Sequence, residues 1–123
     1  NYSIGQVSVG YGETKHAPSQ RMTNISGSHI QHYENDAYSI GFAVNDNLAI
    51  SYTEETSERK QKAKAAATGV TTRTDVEMEM TTIDLSYTMG GATLGLSNSE
   101  TSNASYISGD DTTETIVAIS LAF

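Results

Sequence analysis

The final residues, Thr115-Ile116-Val117-Ala118-Ile119-Ser120-Leu121-Ala122-Phe123, constrain the fold more than any other stretch. Val117, Ile119, Leu121 and Phe123 fall on every second position, and the residues between them are small apart from Ile116. A period of two is a β-strand with one strongly apolar face. Such a face has to be covered, either by a second protein layer or by lipid. A greasy strand closing on an aromatic suits a transmembrane β-barrel, where hydrocarbon does the covering.

The pattern recurs upstream. Strands are predicted near residues 2–13, 36–44, 48–57, 75–89, 92–100 and 113–123, with long polar loops at 14–35, 58–74 and 101–112. Asn45-Asp46-Asn47 and Gly90-Gly91 supply residues that tolerate tight-turn conformations. Residues 58–72 gather Arg59, Lys60, Lys62 and Lys64 before three alanines. No apolar stripe could dock a helix there, so a solvated loop is expected. The segment at 75–89 changes phase: Val76, Met78 and Met80 are in one register, Ile83, Leu85, Tyr87 and Met89 in the other. Either Thr81-Thr82 holds a β-bulge, or the strand projects past the bilayer and only its lower half meets lipid. The second is expected, since a tilted spanning strand needs only about 9–11 residues. Long connections alternate with tight turns, as they do between the two rims of a transmembrane barrel. The chain opens within a strand and without a signal segment, so an upstream portion is expected.

Composition excludes several classes. A net charge of −8 argues against nucleic acid and against an anionic inner-leaflet surface. There is no cysteine, hence no disulfide or thiolate metal site. No run is long and apolar enough for a transmembrane helix. His16, His29 and His32, with Glu34 nearby, are flanked by Ser, Gln and Asn without helical period. A solvated loop is expected there, and no metal site. Gly109-Asp110-Asp111 is read as a turn, because no loop of alternating Ca²⁺ ligands follows. Asn24-Ile25-Ser26 and Asn103-Ala104-Ser105 match a glycosylation sequon, a three-residue pattern that alone carries no argument. No nucleophile elbow or phosphate-binding loop is present, so neither an enzyme nor a cofactor is expected.

The run Tyr38-Ser39-Ile40-Gly41-Phe42-Ala43-Val44-Asn45-Asp46-Asn47-Leu48-Ala49-Ile50-Ser51-Tyr52 resembles the penultimate hairpins of Gram-negative general porins, especially the alphaproteobacterial kind. Ser86-Tyr87-Thr88-Met89-Gly90-Gly91-Ala92-Thr93-Leu94 resembles their next periplasmic turn. Val117, Ile119, Leu121 and Phe123 resemble the signal read by the barrel assembly machinery of the bacterial outer membrane. The resemblance implies a trimer of 16-stranded barrels that passes small hydrophilic solutes by passive diffusion. The chain departs from that family in supplying only an antiparallel up-and-down meander of about six strands, so it resembles a C-terminal segment, with the inward constriction loop implied to lie earlier. Acidic loops bridged to lipopolysaccharide by divalent cations are likewise implied by the resemblance.

On this reading, outer-membrane lipid meets Val7, Val9, Tyr11, Tyr38, Ile40, Phe42, Val44, Leu48, Ile50, Tyr52, Ile83, Leu85, Tyr87, Leu94, Leu96, Val117, Ile119, Leu121 and Phe123. Tyr11, Tyr52, Tyr87 and Phe123 fall near strand ends, where aromatic girdles sit. The pore side takes Ser8, Ser39, Gly41, Ser51, Thr53, Asp84, Ser86, Thr88, Thr93, Ser97 and Ser120. Asp84 is the mid-strand carboxylate opposite an apolar face, which would bias a channel toward cations. One alternative is a soluble or surface-attached β-sandwich, an adhesin or structural module whose sheets cover each other. Another is the translocation barrel of an autotransporter or adhesin. The sandwich is disfavoured because the opposite strand faces carry Gly, Ala, Ser and Thr where a water-facing surface would carry more charge.

Overall fold

The computed structural model describes residues 1–18, 27–64 and 68–122. Within them the chain is all-β: seven antiparallel strands in one up-and-down sheet, each hydrogen-bonded to its sequence neighbours. They are β1 (Tyr2–Ile4), β2 (Val7–His16), β3 (Gly27–Asn45), β4 (Leu48–Lys64), β5 (Thr71–Met89), β6 (Ala92–Ser102) and β7 (Thr112–Leu121). A single 3₁₀ turn, Ala104–Tyr106, interrupts the β6–β7 connection. No helix among the described residues is long and apolar enough to cross a membrane.

The expected first strand, residues 2–13, is instead a hairpin. Ile4 pairs with Val7 across Gly5-Gln6, and Gly5 takes φ +58°. Positive φ at the first central position alone is the II′ pattern that matches strand twist. The sequence carries the sign of it: the apolar residues switch from even positions (Tyr2, Ile4) to odd ones (Val7, Val9, Tyr11) across the turn. The count of six therefore becomes seven.

The expected loops 14–35 and 58–74 also give way to strand. β2 continues to His16, β3 starts at Gly27, β4 continues to Lys64 and β5 starts at Thr71. His16, His29 and His32 consequently lie on strands, not in a solvated loop. Residues 19–26, with the Asn24 sequon, residues 65–67 and Phe123 lie outside the described residues. The stretches of β2, β3, β4 and β5 that lie beyond the expected strands have no apolar face, so hydrophobic periodicity is blind to them. Charge holds them instead. Lys15 Nζ lies 3.1 Å from Glu34 Oε1 on the neighbouring strand, and Lys60 Nζ contacts Glu58 and, at 3.6 Å, Asp75. Cross-strand pairs of opposite charge are the sheet's own stabilising unit.

The phase change in β5 is no bulge. Its pairing with β4 and with β6 runs without a register shift. Thr81 and Thr82 are ordinary ladder residues, so Val76, Met78 and Met80 point to the opposite face from Ile83, Leu85 and Tyr87. The remaining turns are short. Asn45 Oδ1 accepts from the backbone N–H of Asn47 (2.9 Å) and Leu48 (3.0 Å), closing an Asx turn beside a bulge at Val44. Gly90 takes φ +60°, and a Cβ on Gly91 would lie 2.7 Å from the Ala122 carbonyl oxygen.

No residue among those described is buried. Fixing a backbone costs about 1–2 kcal/mol per residue, and apolar burial normally offsets it at about 25 cal/mol per Å². A sheet whose described side chains are at most half-buried gains only part of that term until something else covers its apolar face.

Candidate functional site

Residues directly opposite in an antiparallel ladder share a face, so the register defines both surfaces of the sheet. One row of directly opposed residues crosses all the strands as Ile4, Val7, Phe42, Ile50, Leu85, Leu96 and Val117. The row above it reads Tyr2, Val9, Ile40, Tyr52 and Ile83; the row below reads Leu48, Tyr87, Leu94 and Ile119. Ile40 is 48% exposed and Ile119 71% exposed, and Leu85 is half-buried only. No second layer roofs this outer face.

Its borders slope. On β2 and β3 the first polar outer residues above the apolar run are the paired Glu13 and Asp36. On β4 and β5 they are Glu54 and Thr81, and on β6 and β7 Asn98 and Thr115. Asp36 pairs with Thr56, two residues past Glu54; Thr81 pairs with Glu100, two residues past Asn98. The tight turns descend in the same steps. The row of Ile4 and Val7 meets β4 at Ile50, two residues short of Leu48 at the next turn. The row of Leu48 meets β5 at Tyr87, two residues short of Met89 at the last. Both borders therefore fall by one residue per strand. A step of about 3.4 Å along a strand for each 4.8 Å or so between strands is a slope of roughly 35°.

Tyrosines mark the upper border. Tyr11 and Tyr38 stack across β2 and β3 with ring centroids 5.2 Å apart. The hydroxyl of Tyr11 donates to Glu13 at 3.4 Å, and that of Tyr52 to Glu54 at 2.9 Å. Each ring lies in the apolar band while its hydroxyl reaches the carboxylate zone above, the posture of a side chain at an apolar–polar boundary. In that zone Glu34 accepts from Lys15 and contacts His32 Nε2 at 3.1 Å. The Lys15 ammonium, then His32, hold its carboxyl below the usual glutamate range.

The inner face is of other chemistry. Ser8, Ser39, Gly41, Ser51, Thr53, Asp84, Ser86, Thr88, Thr93, Ser97 and Ser120 all lie on it by register. Ser51 Oγ donates to Asp84 Oδ2 at 3.4 Å, and both, with Ser8, Gly41 and Ser86, are among the residues that line a shallow hollow of about 360 Å³. Thr82 Oγ1 and Ser99 Oγ lie 2.9 Å apart, Thr88 Oγ1 and Thr93 Oγ1 3.2 Å. Two further carboxylates share this face, Glu55 opposite Met80 and Glu114 opposite Ser99. Both fall within the expected strands 48–57 and 113–123, but beyond the apolar run, where the sequence does not mark one face from the other. Arg59 is the guanidinium on the same face, opposite Val76.

Above Asp84 the inner face meets the β6–β7 connection. Tyr106 reaches over β5 to β4 and β3. Its hydroxyl lies 2.6 Å from Ser57 Oγ, its carbonyl accepts from Arg59 Nη2 at 3.1 Å, and its ring lies 5.1 Å from the Arg59 guanidinium carbon and 5.4 Å from the Tyr33 ring. Composition gave no hint of this contact, which joins residues far apart in sequence. No group of three or more potential metal ligands occurs among the described residues.

Comparison with family models, with curated proteins and with solved structures returns no match. The class rests on the sheet alone: a single up-and-down antiparallel sheet with one apolar and one polar face.

Proposed function

We propose that this sheet is a section of a transmembrane β-barrel in the bacterial outer membrane, whose polar face lines a passive channel for small hydrophilic solutes and ions. The sloping apolar band carries this reading. A slope of roughly 35° falls in the tilt range of transmembrane barrel strands. A membrane is the covering whose edges are straight lines cutting obliquely across such strands. A second sheet would have no reason to stop at a line parallel to the descending turns. Tyrosine hydroxyls at the upper border and the absence of buried residues among those described support the same choice.

Closure follows from the edges. β1 and β7 each leave one ladder side unpaired in this sheet, and hydrocarbon does not tolerate unpaired backbone. Further strands of the same polypeptide would pair with them, and a porin-like trimer remains the proposed assembly. The tight turns then face the periplasm and the long strand ends face outward. Val117, Ile119 and Leu121, all well exposed on the outer face of β7, are the residues proposed for recognition by the assembly machinery. On the inner wall, Asp84, Glu55 and Glu114 outweigh Arg59, favouring cations.

The test is spin-label accessibility in lipid vesicles holding the full-length protein. Labels at Leu85 and Ile119 should be relaxed by dissolved oxygen, and labels at Ser86 and Ser120 by a water-soluble nickel chelate. Loss of that alternation, with Leu85 and Ile119 shielded from both agents, would support the sandwich instead.

A further inference from the structure

We infer that the β6–β7 connection is a fixed inward fold that narrows the channel mouth, with Tyr106 as its tip and Arg59 as its anchor; this rests on the channel reading above. The direction of the fold is set by its partners. Tyr33, Ser57 and Arg59 all lie on the inner face of β3 and β4, and Tyr106 touches each of them. A loop leaving β6 can reach them only by passing across the inner side of β5. It packs against β5 on the way, where Val76 and Met78 face inward and are half-buried. Val76 and Met78, two of the residues that break the phase of β5, thus lie on the face that the loop crosses.

The fold is held at many points. Asn103 Nδ2 donates to the Glu77 carbonyl at 2.9 Å, capping β5 just beyond its last pair with β6. Asn103 Oδ1 accepts from Gly109 N–H at 2.9 Å, and Asp111 Oδ1 accepts from Asn103 N–H at 3.1 Å. Backbone bonds tie Ala104 to Asp110 and Asp110 to Ile107. Asn103, Ser105 and Tyr106 sit at φ of 52°, 57° and 60°. Non-glycine residues adopt that region only where their surroundings over-determine it. The loop is thus a built obstruction above the acidic wall. Its aromatic tip sets the size limit, and the guanidinium beneath it places one positive charge at the entrance.

The experiment measures unitary conductance of the full-length protein in planar bilayers. Tyr106→Ala should raise the conductance and admit neutral polymers that the wild type excludes. In a second variant, Tyr106→Cys, a bulky charged thiol reagent added from the side of the long strand ends should reduce the current while leaving the wild-type channel unchanged; these 123 residues contain no cysteine. Wild-type channels whose conductance is unchanged in Tyr106→Ala, or a Tyr106→Cys channel indifferent to the reagent, would overturn the constriction and leave the channel standing. Absence of any wild-type conductance steps would remove both.

Discussion

At the scale of single residues, the proposed channel would take its ion preference from the inner-face charges. Asp84 stands mid-strand beside Ser51, and Glu55 and Glu114 stand nearer the ends of the long strands. Asp84→Asn in the complete barrel is expected to lower the cation-to-anion permeability ratio, read as a smaller reversal potential under a salt gradient. An unchanged potential would assign selectivity to the other two carboxylates. A second expectation concerns Glu34 on the outer face, whose carboxyl is lowered first by Lys15 and then by His32. A carboxyl depressed by folding contributes its tie above its unfolded pKa and loses it as pH falls through the folded value. The Lys15–Glu34 link should therefore survive mild acid and break only below the ordinary glutamate range. A carbon-detected NMR titration of the Glu34 carboxyl, with a midpoint below that range, would register it. Asp84 was legible in the sequence because it interrupts a run of small residues opposite an apolar face. Glu55 was not, because it sits where the apolar face has already ended and nothing marks inside from outside. Tyr106 had no sequence sign at all: its partners Ser57 and Arg59 are brought to it by strand register, which composition does not encode.

At the scale of elements, β5 carries the most information. It is one uninterrupted strand with apolar residues on its outer face below Thr81 and on its inner face above Thr82. Face, not hydrophobicity, should then govern tolerance to charge. Leu85→Arg, on the outer face, is expected to cost about 2–4 kcal/mol of folding free energy in lipid. Ser97→Arg, on the inner face of β6, should cost far less. Denaturant titrations of both variants in vesicles would compare them, and equal losses would contradict the assignment of faces. At the β5–β6 turn, Gly90→Ala places a Cβ at φ +60° and should cost about 1–2 kcal/mol by the same titration. The Asn45 and Gly90 turns were legible because turn chemistry is local. The β1–β2 turn was readable in principle, through the parity switch between Ile4 and Val7, but Gly5-Gln6 is weak turn chemistry and the alternation on either side masked it. The upper reaches of β3, β4 and β5 were hidden for a different reason: charge pairs and backbone ladders hold them, and neither leaves a periodic trace.

For the whole molecule, the sheet's geometry makes a prediction no single residue makes. If the band of apolar side chains follows the membrane, the strands cross the bilayer at roughly 35° to its normal, the low end of the range for barrels. Polarised infrared dichroism of the full-length protein in oriented bilayers should return that tilt; strands lying parallel to the membrane plane would refute it. The all-β meander itself was plain from the alternation of apolar residues, while the slope was not, since it exists only once neighbouring strands are put in register. That uninterrupted register has a consequence for the history and engineering of the chain. Because β5 runs from rim to rim without slack, losing one threonine at Thr81-Thr82 would turn everything on one side of the gap inside out. Val76, Met78 and Met80 would line up behind Ile83, and Glu77 and Glu79 would swing inward. Insertions and deletions within these strands should therefore be accepted in even numbers and rejected in odd ones.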